Sequence, residues 1–171
     1  MNSLTLSFST TFCNGWPRLK FYIDNNLYQE FVAKSESCII SVPIDLVDGD
    51  HELVVELWGK TRLNTLVNND VIIKDQLVTL DMMCIDGIQL PNLFKYIGVF
   101  DNGLSLQSPC VTWGQNGQWR WNFTTPCITW ALKKINQEEE KYFTRQQLGE
   151  DSGNESLAFK EINEILEKIN Y

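Results

Sequence analysis

A hydrophobic period of two, repeated in short runs that stop at turn residues, constrains this chain more than any other feature. LTLSF (4–8) alternates apolar and polar residues, and LKFYI (19–23) sets Leu19, Phe21 and Ile23 on one face. CIISVPI (38–44) is β-branched and bounded by a proline. HELVVELW (51–58) aligns Leu53, Val55 and Leu57, and QLVTLDMMCI (76–85) is a further long run of strand type. NGWP (14–17), DNN (24–26), DGD (48–50), NND (68–70), DGI (86–88) and DNG (101–103) fall between or after these runs. A side-chain period of two makes a strand with one buried face. Short strands punctuated in this way predict a sandwich or barrel. At 171 residues the chain has the length of one domain with room for an appendage.

Four of the six tryptophans lie between Trp113 and Trp130. Asn116-Gly117 reads as a hairpin turn signal. After it, Trp119, Trp121 and Phe123 point one way and Gln118, Arg120 and Asn122 the other, so most of these rings are expected in the core. At Thr125 the period changes. Thr125 has the chemistry of an N-cap and Pro126 that of a first helical residue. Ile128, Leu132 and Ile135 recur at helical spacing beside Ala131, which predicts a helix over 126–141; a final strand through CITWAL is the alternative.

Residues 136–156 are polar and hold Gly149 and Gly153, the composition of a linker or an exposed helix end. Beyond them Leu157, Ile162, Ile165, Leu166 and Ile169 form an apolar stripe opposite Glu and Lys, with capping-box spacing between Ser152 and Glu155. The organisation expected is a β-sandwich over 1–135, followed by a polar linker and a C-terminal amphipathic helix over 136–171. Its stripe must dock on the sandwich or on a partner.

Charge and motif content narrow the function. Fourteen Lys and Arg against 22 Asp and Glu give a net charge of −8. No basic run is present, which argues against phosphate neutralisation and hence against nucleic acid. It argues equally against anionic membrane surfaces. MNSLTLSFST lacks the basic and apolar regions of a signal peptide, and no apolar run approaches the roughly 20 residues of a membrane span. The five cysteines form no CxxC pair, so buried free thiols are expected rather than zinc. The one histidine, His51, sits between Asp50 and Glu52 at a strand entry and reads as a surface residue. No nucleophile, phosphate-loop or metallohydrolase motif occurs, and no catalytic residue is expected. The pairs Asp48 with Asp50 and Asp81 with Asp86 carry no sign of facing each other across a cleft. In NNDVIIKD, Asp70 and Asp75 with Asn68 and Asn69 offer oxygen ligands of the kind calcium takes; a polar hairpin turn is the plainer reading.

GWPRLKFYIDNNLYQEFVAKSE, VPIDLVDGDHELVVELWGKT and DQLVTLDMMCIDGIQL together resemble the small calcium-dependent, xylan-binding type of carbohydrate-binding module. Pro17, Asp24, Gly49, His51, Leu53, Asp75, Leu77, Asp86 and Gly87 fall on its motif positions. NGQWRWNFTTPCITWALKKI resembles a segment of virion proteins of tailed bacteriophages that carry a similar sandwich. The resemblance spans roughly residues 15–135. It implies an antiparallel, jelly-roll-like sandwich and, through Asp75 alone among the carboxylate positions, calcium. The loop TRLNTLVNN (61–69) adds few acids, so no cofactor is the expectation, with calcium at Asp70 and Asp75 the alternative.

Two functions follow. The first is a non-enzymatic structural or accessory component of a phage particle, made in the host cytoplasm and located in the virion. It would contact other virion proteins through Leu157, Ile162, Ile165, Leu166 and Ile169. The second is a carbohydrate-binding module for host glycans, stacking sugar on the rings nearest turns: Trp16, Trp58 and Trp113.

Overall fold

A computed structural model describes residues 3–43 and 46–147. In chain order the strands are β1 (Ser3–Thr10), β2 (Arg18–Ile23), β3 (Asn26–Val32), β4 (Ser37–Pro43), β5 (Gly49–Trp58), β6 (Thr65–Asn68) and β7 (Val71–Asp75). They continue with β8 (Val78–Ile85), β9 (Ile88–Gln89), β10 (Val99–Asp101), β11 (Leu106–Gln107), β12 (Thr112–Trp113) and β13 (Gly117–Thr125). One turn of helix, α1 (Leu93–Tyr96), precedes β10, and a long helix, α2 (Cys127–Gln147), follows β13.

All pairings are antiparallel. One sheet has the order β12-β8-β1-β4, with β9 paired to β8; the other runs β11-β10-β13-β5-β2-β3. The sheets face each other across a single core, and the alternation seen in the sequence supplies it. Leu4, Leu6 and Phe8 of β1 and Val78 and Leu80 of β8 meet Leu19, Phe21, Leu53, Val55, Trp119 and Trp121 from the second sheet. Register lines these up in rows: Phe21, Val55 and Trp119 lie abreast on three strands, as do Ile23, Leu53 and Trp121. Phe8 and Phe21 bridge the sheets edge to face, with ring centroids 6.0 Å apart. The expected mainly β, antiparallel sandwich is therefore the fold observed.

Three turns have both central residues at positive φ: Asp24-Asn25, Asn69-Asp70 and Asp86-Gly87. Two-residue turns of this kind carry the twist that adjacent antiparallel strands need. Asn116-Gly117 is different. β12 pairs with β8 in one sheet and β13 with β5 in the other, so this turn crosses between sheets and forms no hairpin. Gly117 is needed for space: a Cβ there would lie 2.6 Å from the Asp101 carbonyl and 2.7 Å from the Phe100 ring.

The residues after β13 are helical. Thr125 ends the strand instead of capping, its hydroxyl donating to the Val47 carbonyl at 2.6 Å. The buried stripe of α2 is Cys127, Ala131 and Ile135, one residue off the expected Ile128 and Leu132. Trp130 fixes this register by packing on Phe94 and Trp121, each at 5.3 Å. α2 continues through residues 136–147, across the expected boundary at 135/136. The stripe Leu157, Ile162, Ile165, Leu166 and Ile169 and the Ser152–Glu155 box lie outside the described residues. Among the described residues, no helix is long and apolar enough to cross a membrane.

Chain direction gives the sandwich two unlike ends. One gathers the connections β1–β2, β3–β4, β5–β8 and β10–β13. The other gathers β2–β3, β4–β5, β8–β9 and the start of α2.

Candidate functional site

The end bearing the β5–β8 connection holds a cleft. That connection contains the β6–β7 hairpin, which pairs with neither main sheet. Between the hairpin and the 107–116 segment lies an open space of about 370 Å³. Its apolar lining is Ile72 of the hairpin with Leu77, Phe100 and Trp113. Its polar lining comes from Thr65, Gln107, Thr112 and Gln115. Gln115 accepts a hydrogen bond from the Asn102 side chain at 2.8 Å, and Thr112 bonds Thr79 at 2.9 Å.

Lys60 and Asp75 brace the cleft wall. The Lys60 ammonium donates to Asp75 Oδ1 at 2.6 Å, to the Gln76 carbonyl at 2.9 Å and to the Gly114 carbonyl. Its three N–H groups thus meet three acceptors. Asp75 Oδ1 also accepts from the Thr65 hydroxyl at 2.5 Å and the Gln76 amide at 2.9 Å. The side chains are 8% and 17% exposed. A reciprocal pair, Lys60 N to Asn116 Oδ1 and Asn116 Nδ2 to Lys60 O, both 2.9 Å, ties the base of the β5–β8 connection to the turn before β13.

Calcium at Asp70 and Asp75 does not fit this arrangement. Asp75 is already neutralised by Lys60, and Asp70 sits at the exposed hairpin tip, separate from it. Calcium takes six to eight oxygens, usually with several carboxylates. Among the described residues, no three His, Cys, Asp or Glu side chains are placed to share a metal ion.

The three tryptophans expected to stack sugar are dispersed. Trp113 is buried, 3% exposed, because β12 carries it inward against Val78; it stacks on Trp119 at 6.2 Å and on Phe100 at 5.8 Å. It lines the cleft and is no open platform. Trp58 is half-buried on the outer face of the second sheet, with the Lys20 ammonium 4.4 Å and the Arg18 guanidinium 5.3 Å from its ring centre. Trp16 is half-buried at the cleft end, edge-on to Phe12 at 5.3 Å, and does not line the cleft. Thr65, Gln107, Thr112 and Gln115 were not singled out from the sequence: Thr65 comes from β6 and the other three from the 107–116 segment, which only the fold brings together.

At the other end His51 is buried, correcting the expectation of a surface residue. Its strand position is in phase with Leu53, Val55 and Leu57. Nδ1 lies 2.7 Å from Asp24 Oδ2, and Nε2 lies 2.9 Å from the Val47 carbonyl and 3.1 Å from Thr125 Oγ1. The order carboxylate, imidazole, hydroxyl matches a hydrolytic relay. Here, however, the hydroxyl is buried and its proton goes to Val47 O at 2.6 Å, while the Gly49 amide donates to its oxygen at 3.2 Å. The group is a clip joining the β2–β3 turn, the β4–β5 connection and the end of β13.

Burial disfavours charge on His51, but the Asp24 carboxylate and the Val47 carbonyl outweigh it and raise its pKa above 6.5. The Glu52 amide bond and the His51 contact lower Asp24 below 3.8. The raised histidine contributes stability that is complete below its unfolded pKa and is lost as pH rises through its folded value. The lowered aspartate contributes stability present above its unfolded pKa and lost as pH falls through its folded value. The clip is strongest between these limits. Because His51 is the only histidine, melting temperature should fall from about pH 5.5 to about pH 8, and His51→Gln should flatten that fall. An unchanged slope in the variant would remove His51 as its source.

No protein-family model matches the chain, and no curated protein matches it. Among solved structures it is similar to vCBM60 in complex with galactobiose, at 12% identity and a TM-score of 0.49, over 70% of this chain and 98% of that one. It is also similar to a selenomethionine form of vCBM60, from work on a circular permutation linking two families of calcium-dependent carbohydrate binding modules, at 14% identity and a TM-score of 0.47 over 71% and 90%.

Proposed function

We propose that this protein is a non-catalytic glycan-binding module whose ligand lies in the cleft beside the β6–β7 hairpin. One observation carries the reading: amide and hydroxyl side chains line an open space of about 370 Å³ together with aromatic and aliphatic ones. Ligand sites typically occupy about 300–1,000 Å³ and combine an apolar lining with a few polar groups that set orientation. A sugar presents the complementary surface, hydroxyls at its rim and C–H groups on its ring face. Titration calorimetry against neutral galacto- and xylo-oligosaccharides tests the site. Gln115→Ala and Gln107→Ala should each weaken binding roughly tenfold, the equivalent of one hydrogen bond. Trp58→Ala, on the outer sheet face, should leave it unchanged. Loss on Trp58→Ala with none on Gln115→Ala would move the site to that face.

A second reading, a structural or accessory component acting through protein-protein contacts, rests on a separate observation; we propose a virion as its setting. Leu66, Val67, Val71, Ile72 and Ile73 of the hairpin are each 44–65% exposed, and Leu104 and Leu106 at the same end are 94% and 71% exposed. Apolar side chains gathered in this way mark protein interaction surfaces. In this reading the chain is made in a host cytoplasm and assembled with other virion proteins. Absence of glycan binding, together with copurification of the chain in fixed number with particles, would establish it over the first.

A further inference from the structure

We infer that the Lys60 ammonium is an internal cation: it fills an oxygen-lined hole that organises the cleft, and the protein therefore needs no metal there. The hole is built from three separate segments. Asp75 supplies a carboxylate oxygen, Gln76 and Gly114 supply carbonyls, and the Thr65 hydroxyl and Gln76 amide fix the carboxylate from behind. Oxygens converging from several loops on one positive centre are the usual surroundings of a bound cation. Here that centre is tethered to the chain.

Charge selects the tethered ion over a divalent one. One carboxylate balances one ammonium, whereas a divalent ion among these oxygens would keep a surplus positive charge. Shape agrees. The three acceptors match the three donors of an ammonium, and a group of small radius suits the space beside Gly114, where a Cβ would already lie 2.9 Å from Asp75 Oδ2. The lysine also closes a long loop. It joins the end of β5 to Asp75, at the far side of the hairpin, and to the 107–116 segment across the cleft. Lys60 is thus a positioning residue for both walls.

Chemical rescue of Lys60→Ala in the full chain tests this. Propylammonium replaces the atoms that the substitution deletes. Tetramethylammonium carries the same charge but no N–H donor. The variant should melt well below the wild type. Propylammonium should restore a large part of the loss, with a shift that grows as the logarithm of its concentration, and tetramethylammonium should restore none. Lys60→Met, which fills the aliphatic part of the hole, should stay low in both salts. Wild-type melting should not respond to calcium or to a chelator. Equal effects of the two salts on Lys60→Ala, or a wild type stabilised by calcium and weakened by chelator, would overturn the inference. If Lys60→Ala does not accumulate in soluble form, the yield on refolding with each salt gives the same comparison. The inference bears on the glycan reading at one point only, since it makes binding insensitive to chelator. Chelator-sensitive glycan binding would refute it and leave that reading standing, while absence of glycan binding would leave the thermal result decisive.

Discussion

Trp119→Ala should cost about 3–5 kcal/mol, the range for removing a large buried aromatic side chain, and lower the melting temperature by roughly 10 °C in a chain of this size. The ring is fully buried and closely surrounded. It stacks on Trp113 with an interplanar angle of 4°. Val55 and Phe100 flank it on the adjoining strands. The Gly98 backbone lies so near that a Cβ there would be 2.3 Å from the indole. Trp119→Phe should cost much less. It keeps an aromatic ring and also removes an indole N–H with no hydrogen-bond partner among the described residues, a group that is costly to bury. Urea unfolding of the two variants, followed by circular dichroism, makes the comparison. A loss below about 1 kcal/mol for Trp119→Ala would mean that the aromatic rows are not the mechanical centre of the core.

Asp75→Ala should be comparably damaging, at about 3–5 kcal/mol, because it leaves a buried ammonium with its carbonyl partners but without a counterion. Two further donors, the Thr65 hydroxyl and the Gln76 amide, lose their acceptor in the same step. Asp75→Asn retains an oxygen for those donors and should cost less. Combining Asp75→Ala with Lys60→Met removes both charges, so the double variant should lose less than the sum of the singles. Strict additivity in denaturant unfolding would show that the two side chains act independently, despite their 2.6 Å separation.

What could be read from the sequence follows from the range over which each signal acts. β1, β2 and β5 announce themselves because a strand buried on one face prints a period of two, and β4 and β8 show as β-branched or strand-type runs. β3 does not: of NLYQEFV only Phe31 is even half-buried, so there is no alternation to see. His51 was hidden by its immediate neighbours, Asp50 and Glu52, although the phase of Leu53, Val55 and Leu57 already places it on the inner face. Trp113 misled for a similar reason. It stands beside a turn, but its pairing with Val78 is a long-range event. The cleft was the least legible part. Asp75 stood out through its chemistry, yet the lysine that neutralises it is 15 residues away and the carbonyl that completes the cage lies 54 residues from that lysine. No local pattern encodes such a meeting. The assignment of calcium to Asp70 and Asp75 followed from reading the Asp75 carboxylate without its Lys60 partner.

The free cysteines turn the molecule into a clock for its own opening. Cys13, Cys84, Cys110 and Cys127 are buried, while Cys38 is partly accessible. Burial raises the thiol pKa of Cys84 and Cys110, and pushes Cys127 up to about 11. Alkylating reagents attack thiolates, so a sulfur that is both shielded and protonated reacts chiefly during excursions that expose it. Cys110 lies in the 107–116 segment, at the cleft end, and Cys127 at the start of α2, at the opposite end. The order in which reagents reach these sulfurs therefore records which end of the sandwich opens first, with no label beyond those that the chain already carries.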